Sequence, residues 1–159
     1  MTTVEAVPAM EIRAAALADL PELREVYRRS SLSNDADRPH LLAHPEVLEL
    51  DESPVEERRV IVAVSDECVV GFASTDERAG HVELVGLFVD PEVTRQGVGR
   101  RLVTSVAASA RAAGHVRVEV TANRHALDFY EALGFRTDGV TQTRFGDALR
   151  MHLPLANDE

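Results

Sequence analysis

Apolar and polar positions along this chain repeat in two different periods, and the changes of period divide it into elements. Residues 11–15 read as a short strand. The next stretch puts Leu20, Leu23, Val26 and Tyr27 at i, i+3, i+6 and i+7, one face of a helix. Residues 32–57 carry no such period, and Pro39, Pro45 and Pro54 interrupt any long helix, so irregular helix and loop are expected there. Residues 59–64 and 68–74 are rich in β-branched side chains and flank Ser65-Asp66-Glu67, which predicts an antiparallel hairpin. A second hairpin, turning between Asp76 and Gly80, leads into HVELVGLFV at 81–89. That near-continuous apolar run is typical of a strand buried on both faces.

Pro91 stops that strand, and Gly97-Val98-Gly99 opens a helix on which Val98, Leu102, Val106, Ala110 and Ala113 recur at helical spacing until Gly114. A strand at 116–120 follows. Asn123 has the side chain to cap a helix with Ala126, Phe129, Tyr130 and Leu133 on one face and Gly134 at its end, and Phe129 is read as core. Strands at 135–140 and 148–153 complete the order: strand, helix, three strands, helix, strand, helix, two strands. With no repeat and no low-complexity linker, the reading is one α/β domain over residues 10–155, between loose tails at 1–9 and 156–159.

Composition narrows the functions this domain can have. At 159 residues the chain buries a core without disulfides or a structural metal. Its 45% hydrophobic and 28% charged residues are those of a soluble globular protein, and no apolar run approaches the roughly 20 residues that span a bilayer. The first ten residues have neither a cationic nor an apolar signal region, so a cytoplasmic protein is expected. A net charge of -10 opposes nucleic acid and anionic lipid and favours cationic partners such as polyamines, amino sugars or peptide amines. All 17 basic residues are arginine, which excludes Schiff-base chemistry, a lysine base and a Walker P-loop. The lone Cys68 can form neither an internal disulfide nor a cysteine zinc set and is read as packing. His40 and His44 are four apart, but the glutamate of a zinc-protease helix does not follow His40, and no metal is expected.

The most informative segment is the strand that ends at Asp90-Pro91 and passes through TRQGVGRR into a helix. Unpaired amides and the helix dipole meet there, glycines admit an anion to the backbone, and Arg95, Arg100 and Arg101 add positive charge. A Rossmann fingerprint is excluded because Leu102 stands where its third glycine belongs. An ordinary helix start with solvated arginines is the plain alternative. Gly86, inside a strand, marks either a bulge or a close approach of backbone.

VELVGLFVDPEVTRQGVGRRL resembles the central motif of the GNAT superfamily of N-acetyltransferases, and ANRHALDFYEALGF resembles the motif that follows it. The resemblance implies a mixed sheet of about seven strands with about four helices, in which two parallel strands splay to form an acetyl-CoA cleft. It implies that Thr94, Arg95, Gln96, Gly97, Val98 and Gly99 grip the coenzyme A pyrophosphate, with Arg100 beside them. Thr94 departs from the usual arginine or glutamine, and Arg95 is placed to supply the cation. Leu87, Phe88 and Val89 correspond to the strand end that pairs with the pantetheine arm, and the Leu87 amide to the group that polarises the thioester carbonyl. Glu83 corresponds to the general base of some members, with His81 on the same strand face as its substitute. Tyr130 corresponds to the general acid serving the thiolate, and Asn123 to a residue near the pantetheine. The resemblance thus implies acetyl transfer from acetyl-CoA to a small amine or peptide amine in a ternary complex. Asp35 and Asp37 are expected to border the amine. A non-catalytic acyl-CoA sensor and a plain interaction module remain as alternatives, and a homodimer is left open.

Overall fold

The computed structural model describes residues 10–33, 38–43, 50–93, 96–143 and 146–155. Strands β1 (Met10–Ala14), β2 (Val60–Ser65), β3 (Cys68–Arg78), β4 (His81–Val89), β5 (Arg117–Ala122), β6 (Arg136–Thr143) and β7 (Gly146–Pro154) form one sheet in the order β1-β2-β3-β4-β5-β7-β6. Only β4 and β5 run parallel; each other neighbouring pair is antiparallel. The helices are α1 (Leu20–Leu32), α2 (Arg38–Ala43), α3 (Ser53–Glu56), α4 (Val98–Ala112) and α5 (Leu127–Ala132). The expected order of strands and long helices is the observed one, and the irregular segment 32–57 contributes α2 and α3.

Turn chemistry accounts for both early hairpins. Asp66 and Glu67 take φ of 52° and 66°, the two left-handed positions of a two-residue turn whose twist matches its strands. The second hairpin turns at Ala79-Gly80, with β3 running on to Arg78, because Gly80 takes φ 81° without strain. Cys68, expected to pack, is exposed. It is the first residue after the turn and pairs with Ser65 at the hairpin tip.

The sheet is covered on both faces. One face carries the larger core, where Val98, Leu102, Val106 and Ala110 of α4 pack with Val82, Leu84, Val118 and Met151. On the other, Leu20, Leu23 and Val26 of α1 pack with Val60, Val62, Val69 and Phe72. Phe72 is 1% exposed and stacks at 5.2 Å on Phe88, so truncating it to alanine would cost about 3–5 kcal/mol. β4, expected to be buried on both faces, packs one face into the larger core and reaches the smaller one only through Phe88, while Val85 on that second face is exposed because none of the described helices covers it there.

The fork in the sheet follows from β4. It pairs with β5 only from His81↔Arg117 to Leu84↔Val120. Beyond that point β5 stays with β7 as far as Ala122↔Leu149, while β4 stays with β3 as far as Val89↔Gly71. A bulge sits at the point of parting: Thr75 pairs with Leu84 and Ser74 with Gly86, so Val85 is the extra residue. Gly86 itself is the close approach, since a Cβ there would lie 2.6 Å from the Phe88 ring.

Candidate active site

Two sets of groups line the fork. The first is the turn into α4. Gly97 is the N-cap with φ 78°, a conformation that favours glycine, and its carbonyl accepts from the Arg101 amide at 3.0 Å to close the first turn. The amides of Val98, Gly99 and Arg100 then have no acceptor within their own helix and carry its positive dipole end. A cavity of about 600 Å³ opens over them, walled by Leu87 and Val89 of β4, Pro91 and Val93, Phe129, and Ser30 of α1 with its C-cap Ser33. Arg100 lines it, whereas Arg101 is turned to β1, donating to the Met10 carbonyl at 2.8 Å. Gln96 is exposed beside Gly97, and Thr94 and Arg95 lie outside the described residues, as do Asp35, Asp37 and His44.

From α5 the cavity takes Phe129, which was read from the sequence as core. Phe129 packs against the larger core as expected and also lines the cavity, because Gly99 has no side chain and the Phe129 ring fills that space, 3.1 Å from where a Cβ would stand. Tyr130 lies one residue on, 6% exposed in the larger core, its ring edge-on to Phe129 at 5.0 Å and Phe135 at 5.1 Å. Burial penalises the tyrosinate and pushes the hydroxyl up to about 12. Asn123 follows the end of β5, on the opposite lip from the open edge of β4. Its side-chain oxygen accepts from the Ala126 amide at 3.0 Å, which is the expected cap.

The second set lies on the sheet face at the base of the fork. Glu83 and Glu119 are register partners on the parallel strands, a like-charge pairing unfavourable by itself. Arg150 of β7 resolves it, donating to both oxygens of Glu83 at 2.7 and 3.3 Å, to Glu119, and to the Thr121 hydroxyl at 2.8 Å. These bonds, Glu83 first, hold the Arg150 guanidinium above its usual range. Glu119 is held below the usual carboxylate range, foremost by Arg117. His81 sits 3.6 Å from a carboxylate oxygen of each glutamate. His81, Glu83 and Glu119 could by spacing hold a metal ion, but Arg150 already supplies the cation both carboxylates require.

Sequence reasoning missed Arg150, Asp90, Arg29, Ser30 and Ser33. Asp90 is 6% exposed, accepts from Arg29 at 2.8 Å and from the Glu92 amide at 3.0 Å. An aspartate before proline at a strand end, bonding the amide two residues on, was a local signal for this turn. Nothing local pointed to Arg150.

Residues 39–153 match the family model described as an acetyltransferase (GNAT) domain, and the chain belongs to the GNAT acetyltransferase family. No curated protein sequence matches it. Among solved structures, a GCN5-related N-acetyltransferase from Rhodopseudomonas palustris is similar at TM-score 0.74 and 21% identity, over 98% of this chain and 100% of that one. The ribosomal-protein-S18-alanine N-acetyltransferase from Escherichia coli is similar at TM-score 0.72 and 22% identity, over 95% and 97%. The Salmonella typhimurium putative acetyltransferase yncA, solved with acetyl-CoA, is similar at TM-score 0.71 and 24% identity, over 95% and 96%. Among the described residues no helix is long and apolar enough to cross a membrane.

Proposed function

We propose that the protein is an N-acetyltransferase that moves the acetyl group of acetyl-CoA onto an amine by direct attack in a ternary complex. One observation carries the reading. The edge of β4 is open from Val85 to Val89 and leads into a left-handed turn whose helix-terminal amides face a 600 Å³ cavity. The backbone of Leu87, Phe88 and Val89 offers an added-strand partner to a pantetheine arm. The amides of Val98, Gly99 and Arg100, completed by Thr94, Arg95, Gln96 and Gly97, suit a pyrophosphate. The Leu87 amide polarises the thioester carbonyl.

The acceptor must lose a proton first, since an alkylammonium ionises near ~10.4 and only the neutral amine attacks. Glu83, with His81 beside it, receives that proton; the carbon–nitrogen bond forms as the carbon–sulfur bond breaks. Tyr130 then serves the departing thiolate, and Asn123 borders the arm. The acceptor is a cationic amine, with Asp35 and Asp37 near its ammonium group. An acceptor panel tests this, with thiol release as readout. It holds small amines, polyamines, aminoglycosides, amino acids and, because the Escherichia coli relative is named for a protein alanine, peptide N-termini.

A second reading, a non-catalytic acyl-CoA sensor, draws on a specific observation: Arg150 engages both Glu83 oxygens, and Tyr130 is buried beside the cavity rather than lining it. Tight CoA binding with no thiol release from any acceptor would favour it.

A further inference from the structure

Two charged side chains among the described residues are buried, Asp19 and Asp90, and each is clamped by an arginine. Both clamps act on the anchoring of α1. Arg13 holds Asp19 at 2.8 and 3.0 Å at the start of the helix, and Arg29, in its last turns, reaches Asp90 at 2.8 Å. Asp90 is a junction. Its amide donates to the Val70 carbonyl of β3, its carboxylate takes the Glu92 amide, and its carbonyl takes the Val93 amide. The residue after Arg29 is Ser30, and Ser30 and Ser33 form the α1 wall of the cavity whose other side is Pro91, Val93 and the Gly97 turn. Arg29 therefore ties the two walls together, through buried Asp90 at 2.8 Å and, more loosely, through exposed Glu92 at 4.0 Å.

We propose that Arg29 and Asp90 are positioning residues for coenzyme A, holding α1 and the strand-to-helix turn at the separation the pyrophosphate end of the ligand requires. This rests on the reading of the turn as a CoA site. The pair is well suited to the task. A buried carboxylate deprived of its partner is costly, so the closed geometry is strongly preferred, and Asp90 passes it to the turn through two backbone amides. Tyr27 packs edge-on to Phe88 at 4.7 Å on the same side, so the helix pivots little once the ion pair is formed.

Calorimetric titration with CoA tests this on the parent, Gly97→Val, Asp90→Asn, Arg29→Gln, Arg29→Lys, the Asp90→Asn/Arg29→Gln double variant, and Arg13→Gln. Asp90→Asn and Arg29→Gln should each weaken CoA about tenfold, the double variant no more than the worse single, and Arg29→Lys should recover most of the loss. Arg13→Gln loosens the other end of α1. It should lower the melting temperature while keeping the CoA affinity within about twofold. If the parent binds CoA, Gly97→Val does not, and the Arg29 and Asp90 variants bind like the parent, the proposal is overturned and the CoA site stands. It is equally overturned if Arg13→Gln weakens CoA as much as Asp90→Asn, since general loosening would then explain both. A parent that does not bind CoA overturns the functional reading itself, and this proposal with it. Should Arg29→Gln fail to fold, Asp90→Asn decides, since it keeps the side chain's size and an acceptor for the Glu92 amide.

Discussion

Arg150 grips Glu83 at the base of the fork, one guanidinium nitrogen to each carboxylate oxygen, at 2.7 and 3.3 Å. To accept a proton, Glu83 must share or release one of these bonds. With the best acceptor from the panel, Glu83→Gln should lower kcat by about 100-fold while CoA affinity stays unchanged. Steady-state kinetics beside CoA calorimetry check it, and an undiminished kcat would move the base to His81.

Gly97→Val acts through the backbone. A Cβ there meets nothing within 4 Å, but φ 78° strains any L residue and most of all a β-branched one. The variant should weaken CoA at least about tenfold, because opening the turn misaligns the amides of Val98, Gly99 and Arg100. In the parent, CoA affinity should fall as salt rises, since exposed cations and helix-end charge are screened. Titration at two ionic strengths measures both effects, and salt-independent binding would contradict the phosphate assignment.

Tyr130 yields a prediction in rate and one in stability. Tyr130→Phe should lower kcat about tenfold at constant CoA affinity, because the hydroxyl is needed as charge develops on sulfur. Its hydroxyl ionises at about 12 in the fold against 10.0 unfolded. The folded state thus retains the proton longer, and stability present below pH 10 is lost as pH rises toward 12, by up to about 3 kcal/mol. Alkaline denaturation of the parent should show this loss and that of Tyr130→Phe should lack it. Identical alkaline curves would mean that the hydroxyl reaches solvent.

Asp19 works in the opposite direction. Arg13 first, then the Ala16 amide, hold its carboxyl below the ordinary 3.8, so it stabilises the fold above that pH and the contribution is lost as pH falls further. Asp19→Asn should cost about 1–2 kcal/mol at neutral pH and flatten the acid dependence of the melting temperature below pH 3.8. An acid dependence as steep as the parent's would assign that sensitivity to other carboxylates.

Much of this protein was legible one residue after another. The doubly apolar run at 81–89, the glycines at 80 and 97 and the Asn123 cap each act on their own segment of backbone. Periodicity and turn chemistry therefore predicted the element order and the turn that faces the cavity. Cys68 was misread, and the second role of Phe129 as a cavity wall was missed, for the same reason: an amphipathic pattern names a face, and which neighbour meets that face depends on Gly99 in a different helix or on the position of a hairpin tip.

The site's charge pairing belongs to the tertiary structure alone. Glu83 reads in sequence as a carboxylate among Val, Leu and Phe, and it meets Arg150 from 67 residues away because β7 inserts beside β5. Arg29 and Asp90 are 61 residues apart and meet because α1 crosses the end of β4. Ion pairs of this kind leave no periodic trace, since charge acts through space while hydrophobic patterning and dihedral preference act along the chain. The element order and the glycine turn that faces the cavity were therefore written locally, and the pairing of Glu83 and the packing of α1 over the cavity were set by the assembled sheet.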